Sequence, residues 1–160
     1  PLVTGVQTCA LPIYLKACGY ATGLFGKWGL GGPGSGSEPG DHGFDRFTGY
    51  LCQRKAHNHY PVSLWNDRTL LPLPGNDPSK RAEVTYAHDI IRDAALDFVK
   101  SHRDGPFFLM FASPLPHCAL QVPPGELAEY AGAFPETRYD GKKGYLPHDT
   151  PHAEIGRAHV

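Results

Sequence analysis

A lysine follows a short apolar segment and stands directly before a glycine-rich loop. Residues 22–32 read T-G-L-F-G-K-W-G-L-G-G, and Lys27 is the first charged residue after the apolar stretch. A lysine at the end of a buried strand places a fixed positive charge in a pocket, which is suited to binding an anionic group. The alternative is an edge strand with a solvent-exposed lysine, and this segment alone does not decide between the two.

A histidine follows a second apolar segment. Residues 107–112, F-F-L-M-F-A, are typical of a fully buried strand in a parallel sheet. The residue before Pro116 is restricted to extended geometry, so His117 is predicted at the carboxyl end of a central strand. Open α/β sheets bind their ligands at that end. Lys27 also leaves a strand at its carboxyl end, and the two side chains together predict an anionic substrate.

Two further histidines, His57 and His59, lie two residues apart in C-Q-R-K-A-H-N-H-Y-P. In an extended chain they would point to the same side, which suits two ligands or two substrate contacts. His42 precedes them and admits a zinc site, but no Cys or Glu spacing supports one. The alternative, that these are exposed loop histidines without a role, stays open.

The glycines at 29–34 formally match the dinucleotide fingerprint G-x-G-x-x-G. That motif requires a helix immediately afterwards, whose first turn binds the pyrophosphate. Residues 35–40 read S-G-S-E-P-G, which cannot begin such a helix. We therefore reject a dinucleotide-binding function.

The elements that position these residues follow an α/β pattern. Residues 14–18 read as the last turn of a helix, Gly19 as its left-handed cap, and 20–25 as a strand. A helix is predicted at 86–101, because two adjacent rows of apolar residues recur at i, i+4: Ile90, Ala94, Phe98 and Ile91, Ala95, Val99. We predict a mainly parallel central sheet flanked by helices. The long loops 29–43 and 52–82 should shape a pocket.

Composition excludes several classes of protein. Of 160 residues, 41% are hydrophobic and 19% charged, which is typical of a globular domain. The net charge of -1 does not indicate nucleic-acid binding. No apolar run approaches the roughly 20 residues of a membrane-spanning helix. The cysteines at 9, 18, 52 and 118 show no metal-type spacing.

The two ends differ from the middle. Residues 3–13 show neither strand alternation nor helical periodicity. They and residues 155–160 can be back-translated into complementary strands of one DNA word that resembles a sequencing-library adapter. We therefore expect 1–13 and 155–160 to be non-native and 14–154 to be part of a catalytic domain, an internal fragment of a longer protein.

Four blocks of this chain resemble the arylsulfatase-type sulfatases of the alkaline-phosphatase-like superfamily. The first is L-K-A-C-G-Y-A-T-G-L-F-G-K-W-G-L-G at 15–31, and the second is H-G-F-D-R-F-T-G-Y at 42–50. Y-A-H-D-I-I-R-D-A-A-L-D-F-V at 86–99 and P-F-F-L-M-F-A-S-P-L-P-H-C-A-L at 106–120 are similar to the later helix and the strand-to-histidine segment. All four occur in the family's order.

The resemblance implies a sulfuric ester hydrolase with a calcium ion and a formylglycine nucleophile made from a Cys or Ser. Lys27 matches the active-site lysine that binds the sulfate oxygens. His117 matches a histidine implied to contact the sulfate or to protonate the leaving oxygen, a task that suits a pKa near neutrality. The substrate would be a small-molecule or carbohydrate sulfate ester, and the expected location is periplasmic or secreted.

This chain departs from the common pattern in two ways. Gly29 stands where most of the family has a histidine after glycine-lysine-tryptophan, and His57 is a candidate to replace part of its role. The nucleophile motif, Cys or Ser followed by x-Pro-x-Arg, is absent, and so are the calcium-binding aspartates. We expect both to lie outside this sequence, and the polypeptide alone should neither bind calcium tightly nor hydrolyse a sulfate ester.

Two other functions stay open on the sequence. A phosphatase or phosphonate hydrolase of the same superfamily would have a metal-ligating Ser or Thr nucleophile upstream. A non-catalytic binding protein on this fold would have neither Cys nor Ser in the x-Pro-x-Arg context.

Overall fold

A mixed sheet lies at the centre of the computed structural model, which describes residues 6–80, 82–115, 120–141 and 147–158. The helices are α1 (Val6–Ala17), α2 (Ala87–His102), α3 (Pro124–Leu127) and α4 (Pro151–Ala158), with 3-10 turns at Pro39–His42 and Lys55–His57. The strands are β1 (Ala21–Lys27), β2 (Arg46–Tyr50), β3 (Ser63–Asn66), β4 (Thr69–Pro72) and β5 (Phe107–Ala112).

Within the described residues the strands are ordered β4-β3-β2-β1-β5. β1 is parallel to both β2 and β5, whereas β3 is antiparallel to β2 and β4. The α/β class is confirmed, with a parallel centre extended on one side by an antiparallel hairpin. Because parallel strands end at the same edge, the topology brings the carboxyl ends of β2, β1 and β5 together.

The hairpin corrects the prediction of a long loop at 52–82. β3 and β4 have four residues each, too short for alternation to be recognised among the prolines and turn formers. Asp67 begins their connection at φ 52°, a left-handed conformation that aspartate tolerates better than most residues. Its carboxylate accepts a hydrogen bond from the Phe47 backbone at 2.7 Å, which fastens the hairpin to β2.

Helix α2 packs its apolar face on the sheet, as its spacing predicts. Ile91 is fully buried and Phe98 is 5% exposed, with the Phe98 ring 5.5 Å from that of Phe25 on β1. Burying an isoleucine side chain contributes about 1.5–3 kcal/mol. The observed helix begins and ends one residue later than predicted.

β5 is not the fully buried central strand that its composition predicted. It pairs only with β1 among the described strands, and Met110 and Phe111 are 42% and 48% exposed. A continuous apolar run predicts a strand but not how many other strands pair with it. The predicted strand is therefore right, and its predicted burial is wrong.

The ends of the chain are helical. α1 covers Val6–Ala17 although residues 3–13 show no helical periodicity in the sequence, and Gly19 ends it at φ 85° as predicted. α4 continues through the expected boundary at 154/155. The non-native origin of the ends stays a prediction. No helix in the described part of the chain has the length and apolar character needed to cross a membrane.

Candidate functional site

The carboxyl ends of β1, β2 and β5 form the candidate site. Gly26 on β1 is in register with Gly49 on β2 and with Ala112 on β5. The backbones approach so closely that a Cβ added to Gly26 would lie 2.0 Å from the Ala112 carbonyl oxygen. Glycine at this position therefore lets the three strands end side by side.

Lys27 is the last residue of β1 and pairs with Tyr50 on β2. Its side chain is half-buried, and no hydrogen bond or ion pair engages it within the part of the chain that the structure describes. We call the carboxyl ends of β1, β2 and β5 and the residues that follow them the Lys27 edge: residues 27–29, 50–57 and 113–115. It offers a cation held by a buried strand, the arrangement that the sequence predicted.

His117 lies outside the described residues. The chain leaves β5 at the Lys27 edge, where the Leu115 backbone donates a hydrogen bond to the Ser113 hydroxyl at 3.1 Å. The predicted role of His117 stays a prediction.

The β1–β2 hydrogen bonds continue past the strand ends. The Trp28 backbone donates to the Tyr50 carbonyl at 2.9 Å, and the Gly29 backbone donates to the Leu51 carbonyl at 3.1 Å. Residues 51–53 are therefore held beside 27–29. Gln53, a residue that the sequence did not single out, packs directly on Gly29. Only the three-dimensional approach of two loops reveals this contact.

Trp28 folds the glycine-rich loop back onto the core. Its indole N–H donates to the Ser37 carbonyl at 2.8 Å, and its ring lies 5.2 Å from that of His42. His42 Nε2 in turn lies 2.8 Å from the Ser37 hydroxyl. This loop histidine is thus engaged in loop structure. The loop contains a 3-10 turn rather than the α-helix that a dinucleotide site needs.

His57 ends the 3-10 turn Lys55–His57 and is half-buried at the Lys27 edge. The backbone of the next residue, Asn58, is held by a hydrogen bond: its carbonyl oxygen accepts from the buried Tyr50 hydroxyl at 2.9 Å. Burial holds the pKa of Tyr50 far above its ordinary value, so the hydroxyl stays protonated as a donor.

His59 occupies a different environment, which corrects the expectation of an extended histidine pair. Its side chain is fully buried. Its backbone N–H donates to Gln121 Oε1 at 2.8 Å, and its Nδ1 lies 3.2 Å from the Gln121 carbonyl oxygen. His57 ends the 3-10 turn and is half-buried, whereas His59 is fully buried, so the two rings lie in different environments. The substrate contact proposed for His59 stays a prediction, and the structure gives its ring a packing role.

His59 belongs to an aromatic cluster with the buried Tyr60 and His88 and the half-buried Tyr86, which we name the His59–His88 cluster. The His59 and His88 rings meet edge to face at 5.1 Å, and Tyr86 lies 5.4 Å from His88. Burial, assisted by the neighbouring His59, lowers the pKa of His88 to about 3. The neutral His88 ring contributes to packing rather than to proton transfer near neutral pH.

The described residues do not fit a calcium ion. Within them no group of three or more His, Cys, Asp or Glu side chains is arranged to hold a metal. Cys18 and Cys52 are free and exposed. Cys18 precedes β1 and so lies at the sheet edge opposite Lys27, whereas Cys52 follows β2 at the Lys27 edge. We assign neither calcium ligands nor the nucleophile to these residues.

A cavity of about 520 Å³ lies away from the Lys27 edge. It is formed between α2 and the sheet, and its lining includes Arg46, Asn66 and Ile90 but not Lys27. Arg46 begins β2, so part of this cavity lies toward the strands' amino ends. We locate the candidate site by the converging strand ends rather than by this cavity.

Comparisons with known proteins agree with the geometry. A family model described as Sulfatase matches residues 7–150. An N-acetylglucosamine-6-O-sulfatase from Bacteroides thetaiotaomicron is 30% identical over 127 residues, which cover 78% of this chain and 20% of that protein. An arylsulfatase from Hemicentrotus pulcherrimus is 32% identical over 141 residues, covering 73% of this chain and 23% of that protein. The chain thus spans about a fifth to a quarter of these relatives.

Solved structures share the fold. One, described as being in complex with its substrate D-glucosamine-2-N,6-O-disulfate, is 27% identical, with a TM-score of 0.56 over 79% of this chain and 22% of that one. Another, described as Ps i-CgsB, has a TM-score of 0.60 over 92% of this chain and 33% of that one. At 21% identity it supports the fold alone.

Proposed function

The chain belongs to the sulfatase family, and from this premise we propose that it forms part of the active site of a sulfuric ester hydrolase. The observation that supports this function most directly is the half-buried Lys27 at the shared carboxyl edge of β1, β2 and β5. The proposed substrate is a small-molecule or carbohydrate sulfate ester, because the relatives include arylsulfatases and an N-acetylglucosamine-6-O-sulfatase.

Lys27 is proposed to bind the sulfate oxygens. A sulfate ester resists attack while its oxygens carry unshielded negative charge, and a fixed ammonium group offsets the charge as it shifts toward the leaving oxygen. The strand supports this role, since the lysine backbone is held in register with Tyr50 and its ammonium is not engaged in any ion pair with the described residues.

His117 and His57 are proposed to act beside Lys27. The departing oxygen needs a proton, and a histidine is suited to supply it near neutral pH. His117 follows β5 closely in the sequence, and β5 ends at the Lys27 edge. His57 is proposed to take over part of the role that a histidine at position 29 has in other sulfatases, because Gly29 has no side chain.

The remaining parts of the site are proposed to come from residues outside those described. These parts are the calcium ion and the formylglycine nucleophile that the family resemblance implies. We propose a periplasmic or secreted location, which is what the same resemblance implies.

Replacement of Lys27 in the intact enzyme tests the function. We expect Lys27→Ala to lower kcat/KM for a sulfate ester by at least about 100-fold, the usual effect of removing one group that stabilises developing charge. Lys100→Ala removes an exposed lysine on the outer face of α2 and serves as the matched control. Both variants should keep the wild-type melting temperature.

Two results would contradict the proposal. One is an intact wild-type enzyme that turns over no sulfate ester. The other is a Lys27→Ala variant whose kcat/KM matches that of Lys100→Ala.

A further inference from the structure

Gly29 has a backbone conformation in which an ordinary side chain would be strained. Its φ is +90°, in the left-handed region that favours glycine. A Cβ built on it would lie 3.2 Å from Gln53 Oε1 and 3.3 Å from Gln53 Cβ. The side chain of Gln53 therefore borders the space that a side chain at position 29 would enter.

The backbone holds Gln53 in this place. Gly29 donates to the Leu51 carbonyl at 3.1 Å, and Lys55 donates to the Cys52 carbonyl at 3.1 Å, which closes the turn that contains Gln53. Because Gly29 lies two residues after Lys27, its Cα is at most about 7 Å from that of the lysine. The Gln53 carboxamide is thus presented at the Lys27 edge.

The carboxamide has free hydrogen-bonding capacity. Gln53 is exposed, and throughout the described ranges its amide makes no hydrogen bond. A glutamine amide offers two N–H donors and no charge, and it does not titrate. Sulfate oxygens only accept hydrogen bonds, so a neutral donor next to an ammonium group complements them. An amide in this place binds substrate but cannot act as the acid or base.

We propose that Gln53 is a substrate-binding residue that donates a hydrogen bond to a sulfate oxygen beside Lys27. The inference rests on the proposed sulfatase function and extends its binding site to the loop after β2. Gly29 then has a role of its own, because the absence of a side chain leaves space for a hydrogen-bond donor from a neighbouring loop.

The test measures binding of inorganic sulfate by calorimetry and kcat/KM for a sulfate ester, both with the intact enzyme. Gln53→Met keeps the shape of the side chain but removes its hydrogen bonds. We expect about a tenfold loss in sulfate affinity and in kcat/KM, the usual effect of one such bond. Gln53→Glu should lose considerably more, because a carboxylate repels the anion, and added salt should reduce that excess.

Cys18→Ala, a neutral change at an exposed residue of the opposite sheet edge, is the control and should bind sulfate like the wild type. Normal sulfate affinity in Gln53→Met would overturn the inference and leave Gln53 as a packing residue over Gly29. Equal losses in Gln53→Met and Gln53→Glu would also overturn it. An enzyme without turnover whose sulfate affinity still falls in Gln53→Met would refute the proposed reaction but support the Gln53 contact.

Discussion

The Lys27 edge and the His59–His88 cluster differ in what burial does to their polar residues. His57 at the edge is half-buried, whereas His59, two residues later, is fully buried against Gln121 and His88. The two histidines are the same residue type in one short segment. Their contrast shows that the environment, rather than the residue type, decides which histidine is available for chemistry.

Electrostatics in the cluster follow the same rule. Burial lowers the pKa of His88 to about 3, and burial together with the carboxylates of Glu83, Asp89 and Glu126 raises the pKa of Tyr60 to about 12. Both side chains are neutral between these values. His88 and Tyr60 are therefore polar but uncharged members of the cluster, and Lys27 stands in a region open to an anion.

The largest expected effect is a loss of stability in His59→Ala. Truncating a fully buried aromatic ring leaves a cavity, and we expect the free energy of unfolding to fall by about 3 kcal/mol. The kcat of the molecules that remain folded should change little. Urea unfolding and active-site titration of the same samples separate the two quantities.

His57→Ala is the matched partner in this comparison. It should lower kcat about tenfold, less than the roughly 100-fold of a complete general acid or base because His57 is proposed to take only part of that role, with unfolding unchanged. Near-normal turnover in His57→Ala would end the proposed catalytic role of His57. If both variants lost stability alike, the contrast between the two regions would be wrong.

The next effect is a loss of stability in acid caused by His88. Its pKa is 6.5 in the unfolded chain and about 3 in the fold, so the unfolded state binds more protons between these values. Stability is therefore unaffected by this group above pH 6.5 and falls as the pH decreases below it. Between about pH 7 and pH 5 the loss should be up to about 2 kcal/mol.

His88→Phe should remove this part of the acid sensitivity, because it leaves a ring of similar size that cannot bind a proton. The measurement is the difference in urea midpoint between about pH 7 and pH 5 for the two proteins. An equal shift in both would show that His88 is protonated in the fold or that other groups control the acid response.

The strands and helix with strong local signals could be predicted from the sequence. α2 is recognisable because its apolar rows repeat with helical spacing from Ile90 to Val99, β1 because it is rich in small and apolar residues, and β5 because it is an uninterrupted apolar run. The β3–β4 hairpin escapes prediction because each strand has four residues. The exposure of β5 depends on the number of neighbouring strands, which no local pattern contains.

For the site, the sequence locates Lys27 through a strand followed by glycines, a signal that is local. The different burial of His57 and His59 is not predictable, because it depends on the distant Gln121 and on His88, which pack against His59. Gln53 escapes prediction because its contact with Gly29 joins two loops. Contacts between segments distant in sequence require the register of β1 and β2, which only the folded structure defines.

The smallest expected effect comes from the residue that joins the two regions. Tyr50 is 2% exposed, and its hydroxyl donates to the Asn58 carbonyl, which lies between His57 and His59. Tyr50→Phe keeps the packed ring but removes that bond, so the free energy of unfolding should fall by about 1 kcal/mol. Because segment 52–58 is then less firmly held, KM should rise about twofold with kcat nearly unchanged, an effect well below that of one full hydrogen bond.

Tyr20→Phe, at the opposite edge of the sheet, is the control for a tyrosine exposed to solvent and should leave the free energy of unfolding and KM unchanged. A Tyr50→Phe enzyme with lower stability but unaltered KM would mean that the cluster stabilises the fold without positioning the Lys27 edge.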